Sequence, residues 1–190
     1  MDRITLIKRC QLGDKESFEQ LYNIYSKNAM GTAYLISKHK GITEDIVQEA
    51  FFQCYKQIKN LKNPDAFDAW FYKLLVRLAW KMSSKYKDTI PLDNVNCSAE
   101  SSKSHQDFGE TKILVHEAID KLSPPLKTVT ILYYFNDMTI KEISKVLGCF
   151  QGTVKSRLHN ARKQLKKILG EYEDKEVNSI MYMKKGWKAN

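Results

Sequence analysis

Between residues 151 and 163 the chain carries Thr153, Lys155, Ser156, Arg157, His159 and Arg162 on the side of a helical period opposite Val154 and Leu158, with Asn160 beside them. Arginine can donate two hydrogen bonds to one guanine, Ser and Thr adapt to several base edges, and Lys neutralises phosphate. That face has the chemistry for duplex DNA. A second set lies on residues 64–86, where Trp70, Phe71, Tyr72 and Trp80 alternate with Lys73, Arg77, Lys81 and Lys85. Aromatic faces beside cations hold unpaired bases by stacking. Trp70 and Phe71 are expected to sit partly in the core, leaving Tyr72, Lys73 and Arg77 as the exposed part. A third set, Asp45, Gln48, Glu49 and Phe52, follows i, i+3, i+4, i+7 spacing and shares one helix face. Such a face can dock a partner helix, although on physical grounds alone a solvated acidic patch is the better reading.

Helices must position all three sets. Phe18, Leu21, Tyr22, Tyr25 and Ala29 form one stripe, followed by a break at Gly41 and a restart at Thr43, which is expected to cap the next helix. Ile46, Ala50, Phe51, Cys54 and Ile58 form the next stripe. Asn63-Pro64 opens a third helix, with Asn as cap and Pro in the first turn, and Phe67, Trp70, Phe71, Leu74, Leu75, Leu78 and Met82 on its apolar side. Periodicity is lost over 87–110 and returns at Ile113, Leu114, Ala118, Ile119 and Leu122. Thr139-Ile140-Lys141-Glu142 is a capping-box pattern and Gly148 a natural stop. With the helix that follows, they spell a helix-turn-helix. The expected fold is all-α: two small helical domains, 1–86 and 111–170, joined by a flexible linker at 87–110, with an unassigned tail at 171–190.

Charge follows the same division. The 190 residues carry a formal net charge of +9, with +5 on 1–86, −3 on 87–110, +7 on 111–170 and none on 171–190. Two basic blocks flanking an acidic connector suit two modules that face nucleic acid. Cys10, Cys54, Cys97 and Cys149 are too far apart for a metal or disulfide framework, and Cys54 and Cys149 read as small core residues. No leader opens the chain and no apolar run approaches the ~20 residues of a bilayer span, so a cytoplasmic protein without membrane insertion is expected. No His/Asp/Ser set, carboxylate pair or glycine-rich phosphate loop stands out. The expectation is no catalytic residue, no cofactor and no metal.

Over roughly residues 15–170 the chain resembles the extracytoplasmic-function sigma factors of the sigma-70 family. Asp45-Ile46-Val47-Gln48-Glu49-Ala50-Phe51 is similar to the motif that binds core RNA polymerase. Trp70-Phe71-Tyr72-Lys73-Leu74 resembles the helix that melts the promoter and recognises its minus-ten element. Leu122-Ser123-Pro124-Pro125 resembles the start of the second DNA-binding domain, and Gly152–His159 the minus-thirty-five recognition helix. The resemblance implies that Asp45, Gln48, Glu49 and Phe52 contact the polymerase clamp helices. It implies melted minus-ten DNA at Lys59, Asn60, Lys62, Trp70, Tyr72, Lys73, Arg77 and Lys81, with a flipped base held by the loop Lys59–Asp65. It places minus-thirty-five duplex at Thr153, Lys155, Ser156, Arg157, His159, Asn160 and Arg162. Apolar residues near Leu132, Tyr133 and Phe135 would meet the polymerase flap, and an anti-sigma factor is an implied partner. Two positions depart from the family pattern: Arg77 stands where Asn is usual, and Asn160 where a basic residue is usual. Promoter preference does not carry over at either.

Two other readings compete. A helix-turn-helix repressor or activator with a dimerising first domain explains the last helices but not 45–51 or the basic aromatic helix. A helical protein–protein adaptor leaves the charge layout unexplained.

Overall fold

The computed structural model describes residues 2–89 and 110–169. Of the linker expected at 87–110, residues 87–89 continue the helix that ends at Thr89 and Glu110 opens the next one; residues 90–109, like the tail expected at 171–190, lie outside the described residues. Among the described residues eight α-helices run in order: α1 (Arg3–Gln11), α2 (Lys15–Ser37), α3 (Lys40–Gln57), α4 (Phe67–Thr89), α5 (Glu110–Asp120), α6 (Pro124–Thr130), α7 (Ile140–Leu147) and α8 (Gln151–Leu169). A π-helical turn, Ile131–Phe135, continues α6. Among the described residues there is no strand.

Local chemistry sets most of the boundaries. Asp2 and Asp14 accept first-turn amides of α1 and α2, and Asn63 accepts from the Asp65 amide in the 3-10 turn that leads into α4. The cap of α3 differs from expectation. His39 Nδ1 accepts from the Ile42 amide at 3.3 Å, and the helix starts at Lys40. Thr43 lies inside the helix, 3 % exposed, and its hydroxyl donates to the His39 carbonyl at 2.8 Å. Burial is the reason: the α2–α3 turn closes before Thr43, so its side chain faces inward.

Helices α1–α4 pack around an aromatic centre. Tyr25, Phe67 and Phe71 have ring centroids 5.2–5.8 Å apart, and Phe51 lies 5.0 Å from Phe71. Each such buried ring removes enough apolar area to stabilise the fold by about 2–3 kcal/mol. Helices α5–α8 form the second unit, in which Val115, Ala118, Ile119, Leu122 and Leu126 meet Ala161, Leu165 and Leu169. The units touch. One buried cluster continues from Phe71 and Leu75 of α4 into Leu132, Met138, Ile143 and Val154 of the second unit. Polar bonds cross the same boundary: Asn136 Nδ2 donates to Thr32 Oγ1 at 3.0 Å, and Lys38 Nζ lies 2.7 Å from Asp120.

Candidate functional site

The helix-turn-helix is built as its sequence requires. The Thr139 hydroxyl accepts from the Glu142 amide at 3.2 Å, and the Thr139 amide donates to the Glu142 carboxylate at 2.7 Å. The added hydrogen bond from the Thr139 hydroxyl holds the Glu142 carboxyl below its ordinary value. Gly148 ends α7 at φ 62°, in the left-handed region that glycine enters without strain. Val154, Leu158, Ala161 and Leu165 then lock α8 inward, leaving Lys155, Ser156, His159 and Asn160 exposed and Thr153 and Arg157 half-buried.

Arg162 is the exception on this helix. Its Nε donates to the Tyr134 hydroxyl at 3.0 Å and its guanidinium lies 5.8 Å from the Tyr133 ring centre. The expected DNA contact is thus half-buried against its own unit, where Tyr134 supplies a hydroxyl acceptor and Tyr133 a π face.

Asp45, Gln48, Glu49 and Phe52 do come together. They form one wall of a cleft of about 960 Å³, whose other wall is Leu78, Lys81, Met82 and Lys85 of α4. Phe52 is 53 % exposed, with Lys56 Nζ 4.0 Å from its ring centre. The cleft has an acidic lip, a basic lip and an apolar floor, a shape and polarity suited to an amphipathic helix. Lys81, expected with the minus-ten residues, belongs to this cleft.

The loop before α4 leaves Lys59, Asn60 and Lys62 exposed. The side chain of Gln11 holds its backbone, donating to the carbonyls of Ile58 at 3.1 Å and Leu61 at 2.7 Å. Sequence reading missed Gln11, since a lone polar residue ending a short helix carries no periodic signal. On α4, Lys73 and Arg77 are exposed and Trp70 is half-buried against Phe67.

Tyr72 corrects the expectation of an exposed aromatic. It is 5 % exposed, and burial pushes its phenol up to about 12. It lines a cavity of about 290 Å³ between the units with Tyr25, Asp68 and Asn136. In the same cavity Asp68 accepts from both Arg3 and Tyr25. The second unit covers Tyr72, which no single-helix pattern could reveal. Leu132 is likewise fully buried, so of the apolar trio only Tyr133 and Phe135 retain exposure.

Cys10 and Cys54 are buried, with thiols pushed up to about 11 and about 12 by loss of solvent. Cys149 is half-buried against the core. Among the described residues no group of His, Cys, Asp or Glu could hold a metal ion, and no helix is long and apolar enough to cross a membrane.

Residues 21–87 match the family model for sigma-70 region 2, and residues 112–165 the model for sigma-70 region 4. The chain is 30 % identical over 161 residues to the RNA polymerase sigma factor SigV of Bacillus subtilis (strain 168), covering 85 % of this chain and 89 % of that protein. It is 27 % identical over 176 residues to the ECF RNA polymerase sigma factor SigW of the same strain, covering 86 % of this chain and 94 % of the relative. The chain belongs to the extracytoplasmic-function RNA polymerase sigma factors of the sigma-70 family. Its fold is similar to that of CnrH, solved with the cytosolic domain of CnrY, at a TM-score of 0.71 and 19 % identity over 90 % of this chain and 99 % of CnrH. RpoE of Bartonella quintana, solved with the anti-sigma factor NepR, gives 0.70 and 20 % over 83 % of this chain and 99 % of that one.

Proposed function

We propose that this chain is a cytoplasmic alternative sigma factor that binds core RNA polymerase and directs initiation at specific promoters in a stress or envelope response, acting by binding rather than by catalysis. Residues 1–86 carry polymerase docking and minus-ten recognition, 87–110 connect, and 111–170 carry minus-thirty-five recognition. The cleft wall of Asp45, Gln48, Glu49 and Phe52 takes the clamp helices, with Lys81 opposite. The loop Lys59–Asp65 holds a flipped minus-ten base, beside Trp70, Lys73 and Arg77 on α4. Flipping costs a few kcal/mol, and stacking returns ~1–3 kcal/mol per base. Tyr72 joins them once the second unit moves away. Lys155, Ser156, Arg157, His159 and Asn160 face duplex, with Thr153 at the start of the same helix. Tyr133 and Phe135 meet the flap. An anti-sigma factor that holds the chain away from polymerase is the further partner.

The observation that carries this reading is the pairing of two surfaces in one chain: an amphipathic cleft within the region 2 match and an exposed basic α8 within the region 4 match. A repressor needs only the second and an adaptor only the first. Transcription by purified core polymerase, with and without this protein, tests it. Promoter-specific transcripts that depend on the added protein are expected, and their absence across a genomic template library would overturn the reading.

A further inference from the structure

Phe150 precedes α8 and is 87 % exposed. The Val154 amide donates to its carbonyl at 3.2 Å, so it occupies the position where a helix normally recruits Ser, Thr, Asp or Asn to satisfy first-turn amides. Asp2, Asp14, Asn63 and Thr139 do this elsewhere in the chain. Phe150 has no side-chain oxygen with which to do it. Two residues later Gly152 sits in the first turn with nothing within 4 Å of where a Cβ would be. Alanine would fit there and favour the helix. Single exposed apolar residues are ordinary on protein surfaces. Here two neighbouring positions both hold residues that disfavour the start of the helix, beside the exposed face.

What docks there is polyanionic. From 151 to 169 the only charged residues are Lys155, Arg157, Arg162, Lys163, Lys166 and Lys167, all basic. In a helix-turn-helix the first residues of the second helix meet base edges in the major groove. The apolar feature of that groove is the thymine 5-methyl group. We propose that Phe150 is a specificity-determining residue that covers the 5-methyl of one thymine at the edge of the duplex element read by α8. Gly152, lacking a Cβ, lets the DNA backbone approach beside it. The inference rests on α8 being the duplex-reading helix.

The test uses holoenzyme assembled from the full chain and core polymerase, and a duplex that this holoenzyme recovers from a randomised pool. Each thymine of the upstream element is replaced in turn by deoxyuridine, which removes the methyl and keeps every hydrogen bond. Wild-type affinity should fall about fourfold at one edge thymine, the effect of exposing one methyl-sized group. Phe150→Ser should bind the thymine and deoxyuridine duplexes equally, with no loss of thermal stability. Absence of any methyl effect in the wild type, or its persistence in Phe150→Ser, would overturn the proposal, as would a recovered element without an edge thymine. Arg157→Ala and Lys155→Ala separate the two levels. If both bind the recovered duplex like wild type, the reading of α8 fails and the proposal with it. If both are impaired while the methyl effect is absent, only the assignment of Phe150 falls.

Discussion

The indole nitrogen of Trp80, on α4, donates to the hydroxyl of Thr128, on α6, at 3.0 Å, and so joins the two matched regions by a directed bond. The Thr128 hydroxyl in turn donates to the Pro124 carbonyl at 2.8 Å, so the pair forms a short chain rather than an isolated contact. Removing the donor with Trp80→Phe, or the acceptor with Thr128→Val, should each destabilise the protein by about 1 kcal/mol, the net worth of a typical intramolecular hydrogen bond. A double-mutant cycle read by denaturant unfolding should return a coupling of about 0.5–1.5 kcal/mol. A coupling of zero would mean that the two regions do not hold this arrangement in solution.

The cleft on α3 gives a second expectation. Glu49 is half-buried there and accepts from Gln53 at 2.5 Å. Glu49→Lys places a like charge opposite Lys81 and Lys85, and it should weaken binding to core polymerase by about tenfold or more, as loss of a central interface contact does. Binding of the isolated chain to a minus-thirty-five duplex should not change. Unaltered core affinity in a pull-down titration would remove this cleft from the polymerase interface.

Division of labour along α8 is testable through salt. Lys155 is exposed and Arg157 half-buried on the face of α8 proposed to meet duplex DNA. Lys155→Ala should lower affinity evenly across sequences and reduce the logarithmic salt slope by about 1. Arg157→Ala should cost about 1–3 kcal/mol and relax preference at one base pair. Affinity measured against a set of single-base variants at several salt concentrations distinguishes the two.

Acid should loosen α7. The Glu142 carboxyl is held below its ordinary value of 4.5 by hydrogen bonds from Thr139. A carboxyl depressed in the folded state stabilises above its unfolded value, and that stability is lost as pH falls through the folded one. Glu142→Gln should therefore melt below wild type at pH 7, and the gap should close as pH falls below about 4.5. A gap of constant size from neutral pH to pH 3 would show that the ionised capping box contributes nothing.

Periodic burial and turn chemistry were legible because they are local. Ile46, Ala50, Phe51 and Cys54 are buried as their spacing requires, and Thr139, Glu142 and Gly148 shape α7 as their types require. Polar spacing on α3 likewise located one wall of the cleft. What escaped depends on contacts between distant segments. Tyr72 and Leu132 are buried because one unit covers the other. Arg162 turns inward because Tyr133 and Tyr134 stand across from it. The cap at His39 escaped because imidazole is an unusual acceptor for a first-turn amide.

Gln11 offers the final test, because it links α1 to the loop expected to hold melted DNA. Its amide nitrogen donates to the carbonyls of both Ile58 and Leu61, across a sequence separation of about fifty residues. Two donors on one planar group fix the relative position of those carbonyls, and with them the backbone that carries Lys59 and Asn60. Gln11→Met keeps the length of the side chain and removes both donors. It should cost about 1–3 kcal/mol, because partly buried carbonyls lose their partners, and it should speed amide exchange across residues 58–62. If the loop holds a flipped base, Gln11→Met should also lower permanganate reactivity of minus-ten thymines on duplex promoters while leaving core polymerase binding intact. On a template already opened at the minus-ten element the deficit should shrink, since flipping no longer has to be driven. Gln11→Arg, which brings donors of similar reach, should restore part of the reactivity, a recovery that a purely structural role for α1 would not produce. Equal reactivity of wild type and Gln11→Met, alongside the expected faster exchange, would show that the loop is held by Gln11 but does not shape the melted strand.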